Sequence, residues 1–445
     1  MMRPMLAIYD MATEAGRADF ARRLAKLRQT ASASGEAAAT VAGIVADVAA
    51  RGDDAVVACM RRWTDPQFTA ARLRVEPGEL RAAQAAMSPA LREAIEAAVA
   101  NVRAYQEHIL PVAPAPITLD GAELGLRWTA VDSVGLCVPG GAAVLFSTLV
   151  MLAVPAMVAG VPASRISVMS PPPTRRGEGE APGDISPLVL GVCAMLGIER
   201  VYRMGGAQGV AALAYGTATV EPVDLIAGPG NVYVQLAKAQ VSGVTGTDNG
   251  FYGPSEIVTV ADATADPRRV ASDLVAQAEH YPGKCFLVCW QRDVLDRIVA
   301  EVAVQVPSRV RREAIIKALR DESCAVLAGD EAAAAALANT LAAEHVSLAV
   351  ADPRKWLGDI RHGGEFFLGD ATPVAAGDYY AGPSHCLPTG TTARFASGVS
   401  VYTFLKRSGT VAYREGMPPD AIRRIAAMAE AEGLDAHAAS VRVRG

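Results

Sequence analysis

Histidine is scarce in this chain, and its placement indicates where chemistry could occur. Six histidines occur among the 445 residues, and four of them have polar side chains close by in the sequence. These four neighbourhoods are Gln277 and Glu279 before His280, Glu344 before His345, Asp378 before His385, and Glu432 before His437. Imidazole, carboxylate and amide oxygen together suit a borderline cation such as Zn²⁺. A single histidine at a helix end is more often a cap or a surface residue.

The segment LVAQAEHYPG contains the one pair that local geometry can place. Gln277 and His280 are three residues apart in an apolar, helical pattern, so they share one face of the predicted helix. They could cap that helix, or they could hold a cation. Sequence spacing alone does not bring the other histidines to the same place.

The adjacent pair Glu344 and His345 has the groups needed for acid–base chemistry. The alanine-rich pattern predicts that the pair closes a helix before the strand VSLAV, near the carboxyl end of a sheet crevice. A near-neutral imidazole can take a proton from an alcohol, and a carboxylate can activate water. The alternative is an ordinary helix C-terminus with a favourably placed histidine.

Alternating apolar runs and helical segments predict the elements that position these residues. The runs VGLCVPGG, RISVMSPP, RVYRMGG and VDLIAGPGN each end in Gly or Pro and each precede a helix-length apolar segment. A second block alternates in the same way from EIVTVAD to EFFLGD. This pattern is typical of parallel sheets covered by helices, and we expect two α/β domains. The polar, Pro-rich stretch 171–184 is expected to be an exposed insertion.

Three glycine turns follow predicted strands of the first block. They are PGG at 139–141, GGAQG at 205–209 and GPGN at 228–231. Such turns let backbone amides approach a phosphate at a helix N-terminus. Each could also be a tight turn of any α/β sheet, because none is a GxGxxG motif. Three in one domain favour a nucleotide site.

The composition excludes several classes of partner. With 42 basic and 47 acidic residues and no long basic run, the chain has no electrostatic signature for nucleic acid or anionic membranes. No uninterrupted apolar run is long enough for a membrane helix or a leader, so we expect a cytoplasmic protein with a small-molecule partner. The seven cysteines have no CxxC spacing and predict no disulfide framework. Cys285 and Cys289 are expected in a buried strand.

Several longer motifs occur in an order and spacing that is specific to one family. They are LFSTLVML, GGAQGVAALAYGT, GPGNVYV, GPSEI, ASDLVAQAEH, AGDYYAG, HCLPTG and EGLDAH. Through them the chain resembles the histidinol dehydrogenases over nearly its whole length. The resemblance implies two-step oxidation of L-histidinol to L-histidine with two NAD, one Zn²⁺ per subunit, and a homodimer whose C-terminal segment acts in the partner's site.

The resemblance also implies roles for individual residues. The metal ligands would be Gln277, His280, Asp378 and His437. The acid–base residues would be Glu344 and His345. The substrate contacts would be Ser255, Gln277, His280, His345, Asp378, His385, Glu432 and His437. The cofactor contacts would be Cys137, Gln208 and Asn231.

With this resemblance, we expect an α/β protein of two Rossmann-like, incompletely doubly wound domains with small helical segments at both ends. The expected N-terminal segment is 1–28. One domain, carrying most of the metal and catalytic site, combines 29–133 with 254–397. The NAD-binding domain is 134–253, and the C-terminal segment is 398–445.

The chain departs from the family pattern at three places that bear on cofactor affinity and substrate identity. Cys137 stands where a Tyr is usual, DNGFYGPSE replaces DMPAGPSE, and Ser384 replaces an Asn beside His385. A relative that oxidises another polar alcohol, such as a dihydroxypropane sulfonate, is therefore an alternative. A catalytically silent NAD- or metal-binding protein is a third, although it would normally have lost Glu344 or His345. The sequence leaves Zn²⁺ and Mn²⁺ open.

Overall fold

The computed structural model describes residues 5–29, 35–140, 144–172, 184–248, 250–280 and 282–444. The strands are β1 (Ile8–Asp10), β2 (Ile117–Leu119), β3 (Ala122–Ala130), β4 (Val134–Cys137), β5 (Ile166–Met169), β6 (Arg200–Tyr202), β7 (Leu225–Ala227), β8 (Gly246–Thr247), β9 (Glu256–Ala261), β10 (Lys284–Cys289), β11 (Cys324–Leu327), β12 (His345–Ala349), β13 (Glu365–Leu368) and β14 (Leu405–Ala412). The helices are α1 (Glu14–Gln29), α2 (Glu36–Arg51), α3 (Asp53–Trp63), α4 (Pro77–Ala86), α5 (Pro89–His108), α6 (Phe146–Ala159), α7 (Pro187–Met195), α8 (Gly206–Tyr215), α9 (Val232–Val241), α10 (Pro267–Ala278), α11 (Arg292–Gln305), α12 (Arg312–Asp321), α13 (Glu331–Leu341), α14 (Pro353–Asp359), α15 (Val374–Tyr379), α16 (Pro419–Ala431) and α17 (Asp435–Arg442).

Two parallel sheets organise the molecule. The first has the strand order β1-β11-β10-β9-β12-β13 and the second the order β6-β5-β4-β7-β8. All pairs within both sheets are parallel. When β9 and β4 are each counted as strand 1 of their sheet, the following strands give both sheets the order 3-2-1-4-5, with β1 as an additional edge strand of the first sheet. This order is the Rossmann arrangement without its last strand. The expected α/β class with two Rossmann-like domains is confirmed.

The central strands of both sheets are buried, whereas edge strands such as β1, β8 and β13 are only partly so. Residues 256–261 and 284–289 are buried throughout, as expected for central strands of a parallel sheet. Cys285 and Cys289 lie in β10 with no exposed surface, which confirms the prediction for this segment. Ser88 caps α5 by accepting a hydrogen bond from the Leu91 N–H, 3.3 Å.

A third, antiparallel sheet joins residues 117–130 to the C-terminal segment. Its order is β14-β3-β2, and β14 pairs with β3 along its full length. The expected helical segment 398–445 does contain helices α16 and α17, but a 3-10 helix (Val401–Phe404) and strand β14 precede them, so it is not helical throughout. Helices α16 and α17, here called the C-terminal hairpin, follow that strand and share a small core of Ala426, Ala429 and Ala438.

The N-terminal parts of the chain do not group as expected. Strand β1 forms an edge of the six-stranded sheet, so the segment 1–28 is not only helical. Helices α2 to α5, expected with the domain 254–397, instead pack against α6 to α9 of the other domain. A backbone hydrogen bond supports this grouping, because the Val75 N–H, between α3 and α4, donates to the carbonyl of Val201 in β6 at 2.9 Å. Amphipathic periodicity shows which face of a helix is buried but not which sheet buries it.

Two further expectations concern particular stretches. Of the predicted insertion 171–184, residues 173–183 lie outside the described part of the chain, as does Gly141 of the first glycine turn. Among the described residues, no helix combines the length and the apolar character needed to cross a membrane.

Candidate active site

The candidate site lies at the amino end of the six-stranded sheet, next to helix α6 of the five-stranded domain. Glu344 and His345 are at the amino end of β12, beside the first residues of β9 and β13. The prediction that they close a helix at the carboxyl end of a sheet is therefore wrong. Helix α13 ends at Leu341, because Ala342 takes up a left-handed conformation with φ 44° and turns the chain into the strand.

Glu344 is held by the start of β9. Its Oε1 accepts a hydrogen bond from the Ser255 hydroxyl and another, 2.8 Å long, from the Glu256 backbone N–H. The side chain is buried, and burial raises the pKa of this carboxyl well above its usual range. Ionised, such a carboxylate is a stronger base than an exposed glutamate. Ser255 and Glu344, both predicted site residues, thus lie together.

His345 lies at the centre of the predicted site. Its Nδ1 is 3.2 Å from the Gln277 Oε1, and its Nε2 is 3.6 Å from the Asp378 Oδ1. The ring also meets Phe367 edge to face at 5.7 Å between centroids. Burial, followed by the charges of nearby histidines, lowers the pKa of His345 to about 3, so the imidazole is neutral at pH 7. A neutral ring can accept a proton.

His385 connects the two domains. Its Nδ1 lies 2.7 Å from the Asp378 carbonyl oxygen, which accepts only, so this ring nitrogen donates. In the neutral ring the Nε2 is then an acceptor, and it accepts a hydrogen bond from the Thr148 hydroxyl at 3.0 Å. Burial lowers the pKa of His385 to about 4, which keeps this tautomer neutral. Thr148 lies in the first turn of α6, so a residue of the five-stranded domain orients a predicted substrate contact.

Comparisons with known proteins show to which family the chain belongs. The family model described as histidinol dehydrogenase matches residues 27–445. The chain belongs to the histidinol dehydrogenase family. Histidinol dehydrogenase from Rhodospirillum rubrum is 42% identical over 97% of this chain and 98% of its own, and that from Bacillus subtilis is 41% identical over 95% and 97%. The structure of histidinol dehydrogenase from Elizabethkingia anophelis superposes with a TM-score of 0.87 at 29% identity, covering 100% of this chain and 99% of that one. The chain is therefore an oxidoreductase.

The ligand set that membership of the histidinol dehydrogenase family suggests is only partly assembled. Gln277 and Asp378 contact His345, and His280, one turn beyond Gln277, is close enough for its charge to lower the pKa of His345. His437 is exposed on the C-terminal hairpin. In the described ranges, no group of three or more His, Cys, Asp or Glu side chains is arranged to hold a metal ion. An amide, an imidazole and a carboxylate from one chain suit zinc but leave its shell open.

The predicted cofactor residues lie at the carboxyl edge of the five-stranded sheet. Gln208 is buried in the first turn of α8, and Asn231 caps α9 by accepting from the N–H groups of Tyr233 and Val234 at 3.0 and 3.2 Å. Cys137 ends β4 with its thiol in the core, 2% exposed, where burial raises its pKa to about 12. Any contact of Cys137 with a cofactor would involve its backbone, since the side chain does not reach the surface.

Sequence reasoning missed four polar residues in or beside the site. Three of them, Glu256, Lys284 and Glu365, are the first residues of strands of the six-stranded sheet, and the fourth is Thr148. A charged residue that opens an otherwise apolar strand, as in EIVTVA, KCFLVC and EFFL, is a sequence signal for such positions. Burying a charge has a high free-energy cost unless the charge has a partner or a function.

Proposed function

We propose that this enzyme oxidises L-histidinol to L-histidine through L-histidinal, in the histidine biosynthesis of the cell, and that it works in the cytoplasm. The single observation that carries the proposal is the contact of buried His345 with both Gln277 and Asp378, next to Glu344. A neutral base, a carboxyl of raised pKa and polar ligands for a cation are what two successive oxidations at one carbon require.

His345 would accept the alcohol proton in the first oxidation. Its Nε2 is buried and has no hydrogen-bond partner among the described residues, so a substrate hydroxyl could take that position. Glu344 would help a water molecule attack the aldehyde in the second oxidation. Ser255, which donates to Glu344, would hold its carboxylate in place and contact the substrate.

Gln277, His280 and Asp378, completed by His437, would hold one Zn²⁺. When bound, the metal would bind nitrogen atoms of the substrate and orient it, and NAD would accept the hydride. His385 would contact the substrate, because hydrogen bonds to Thr148 and the Asp378 carbonyl fix its ring. The five-stranded domain, with Gln208 and Asn231 at its carboxyl edge, would bind NAD.

A homodimer would complete the site. The buried core of the C-terminal hairpin consists of three alanines, with Val441 partly buried against it, while Met428 is 69% exposed and Val443 78% exposed. So small a core does not account for a stable position of the hairpin in an isolated chain, and a partner subunit would cover its apolar residues. Glu432, exposed beside His437, would then meet the substrate's ammonium group in the partner's site.

The test is the reaction itself, with metal analysis of the same sample. Two NADH should form for each L-histidinol consumed, free aldehyde should not accumulate, and zinc rather than manganese should be present at about one ion per chain. One NADH per turnover with released aldehyde would contradict the two-step proposal. Inactivity with L-histidinol but activity with a dihydroxypropane sulfonate would favour the alternative substrate.

A further inference from the structure

A buried pair of opposite charges lies next to Glu344 and has no part in the chemistry proposed above. The Lys284 Nζ and the Glu256 Oε2 are 3.7 Å apart, and their side chains are 4% and 0% exposed. Neither atom has a hydrogen-bond partner among the described residues. Each charge is therefore compensated mainly by the other, and removal of one would leave the second buried alone.

This pair is built into the strand that holds Glu344. The Glu256 N–H is one of the two donors to the Glu344 carboxylate, and Ser255 supplies the other. The Lys284 N–H in turn donates to the Ser255 carbonyl at 3.0 Å. The backbones of Glu256 and Lys284 are direct neighbours in the ladder between β9 and β10. A displacement at this end of β9 would thus move both donors to Glu344 at once.

Glu256 of the same pair also forms a hydrogen bond with the chain segment that follows His385. The Glu256 Oε1 accepts a hydrogen bond from the Gly390 N–H at 3.0 Å. The turn at this point is strained, because Thr391 has a φ of 68°, a left-handed conformation that a β-branched residue rarely adopts. Such a conformation persists where the surrounding contacts hold it, and the Glu256 carboxylate is one of those contacts.

We infer that Glu256 and Lys284 are positioning residues, which align the Glu344 carboxylate with its two donors and fix the turn at 389–391 against the start of β9. The inference rests on the proposed function, in which Glu344 serves the oxidation of the aldehyde and His345 that of the alcohol. It follows that damage to the pair slows the second oxidation selectively.

The experiment measures the two oxidations separately in Lys284→Met. Oxidation of the alcohol is followed as the first phase of NADH formation in a single turnover with L-histidinol. Oxidation of the aldehyde is followed as steady-state NADH formation from L-histidinal. We expect the second rate to fall by about tenfold or more, as misplacement of a reacting group does, and the first to stay within about twofold. Glu344→Gln should give the same selectivity in stronger form.

Paired substitutions separate positioning from general loss of structure. Glu256→Gln combined with Lys284→Met removes both charges and keeps an amide oxygen for the Gly390 N–H, so it should recover the second rate to within about threefold of the wild type. Glu256→Ala combined with Lys284→Met lacks that acceptor and should stay slow. These two double variants decide the question even if Lys284→Met does not fold.

Lys238→Met is the matched control, since Lys238 of helix α9 is similarly buried and pairs with Asp248 in the other domain. It should affect both oxidations alike. Equal slowing of both oxidations in Lys284→Met, no slowing, or no difference between the two double variants would overturn the inference. A wild-type protein that forms no NADH from L-histidinol or L-histidinal would overturn the proposed function instead, and the inference with it.

Discussion

The Nδ1 of His345 lies 3.2 Å from the Oε1 of Gln277, so a proposed acid–base residue and a proposed metal ligand form one buried unit. The ring comes from the start of β12 and the amide from the last turn of α10. Because they touch, a change that frees Gln277 also frees the ring of His345. Metal content and proton transfer are thus expected to be coupled in this enzyme.

Replacement of His280 by alanine should strip the metal. The variant keeps an amide and a carboxylate but loses the one imidazole that its own chain supplies, and zinc prefers nitrogen or sulfur ligands in a closed shell. We expect zinc to fall from about one ion per chain to below about a tenth of that value, measured by elemental analysis after dialysis. Glu279→Gln, at the adjacent position, should retain its zinc. Full occupancy in His280→Ala would show that the ligand assignment is wrong.

Two inactive variants should restore each other if the C-terminal hairpin acts in the partner's site. His345→Ala mixed with His437→Ala gives, after random subunit exchange, half mixed dimers with one intact site in two, or about a quarter of wild-type activity. The control mixes His345→Ala with Glu344→Gln, in which every site keeps a defect. A verified mixed dimer of the first kind without activity would place His437 in its own subunit's site.

Cys137→Tyr should destabilise the fold and should not improve cofactor binding. The family's usual Tyr at this position suggests that a ring would add cofactor contacts. In this chain, however, the thiol packs in the core against β5, beside Met169, with the Gly228 backbone close to its own. Overpacking of this kind costs about 1–3 kcal/mol. Urea unfolding measures the loss, and Cys137→Ala, which adds no volume, is the comparison. Unchanged stability together with tighter NAD binding would contradict this expectation.

Glu365 should make the stability of the metal-free enzyme depend on pH. Burial, and then the charge of Asp378, raises the pKa of Glu365 from the usual 4.5 to about 8. The folded state therefore holds this proton more tightly than the unfolded state does. The resulting stability is present below about pH 4.5 and is lost as the pH rises toward 8. Urea unfolding at several pH values should show that Glu365→Gln loses less stability over this interval than the wild type. Parallel pH profiles would refute the assignment.

Much of the fold could be predicted because local patterns determine it. Apolar runs that alternate with helical segments predicted both parallel sheets, and helical spacing placed Gln277 and His280 one turn apart. The end of α13 could not be foreseen, since the alanine-rich pattern continues through Ala343 while the chain turns at Ala342. The charges of Glu256 and Lys284 were visible in the sequence, yet their pairing depends on the register of β9 with β10.

The site could be predicted only as a set of residue types. Thr148 and His385 are 237 positions apart in the sequence. They meet because α6 of the five-stranded domain lies against the loop that follows α15 of the six-stranded domain. Local periodicity in the sequence does not indicate which distant elements come into contact. The position of the site at the amino end of the six-stranded sheet is likewise unexpected, since ligands of open α/β sheets usually bind at the carboxyl ends. Of the two sheets, only the five-stranded one has its carboxyl edge toward the site.

The hydrogen bond between Thr148 and His385 has a consequence for attempts to recombine this enzyme with its relatives. The six-stranded domain provides the proposed acid–base pair, and helix α6 of the five-stranded domain provides the hydroxyl that hydrogen-bonds to a predicted substrate contact. A chimera that takes each sheet from a different parent would therefore inherit two correctly folded halves without inheriting the distance between them. Attempts to transfer substrate preference between such enzymes should therefore depend on the contacts between the two domains as much as on the residues that touch the substrate.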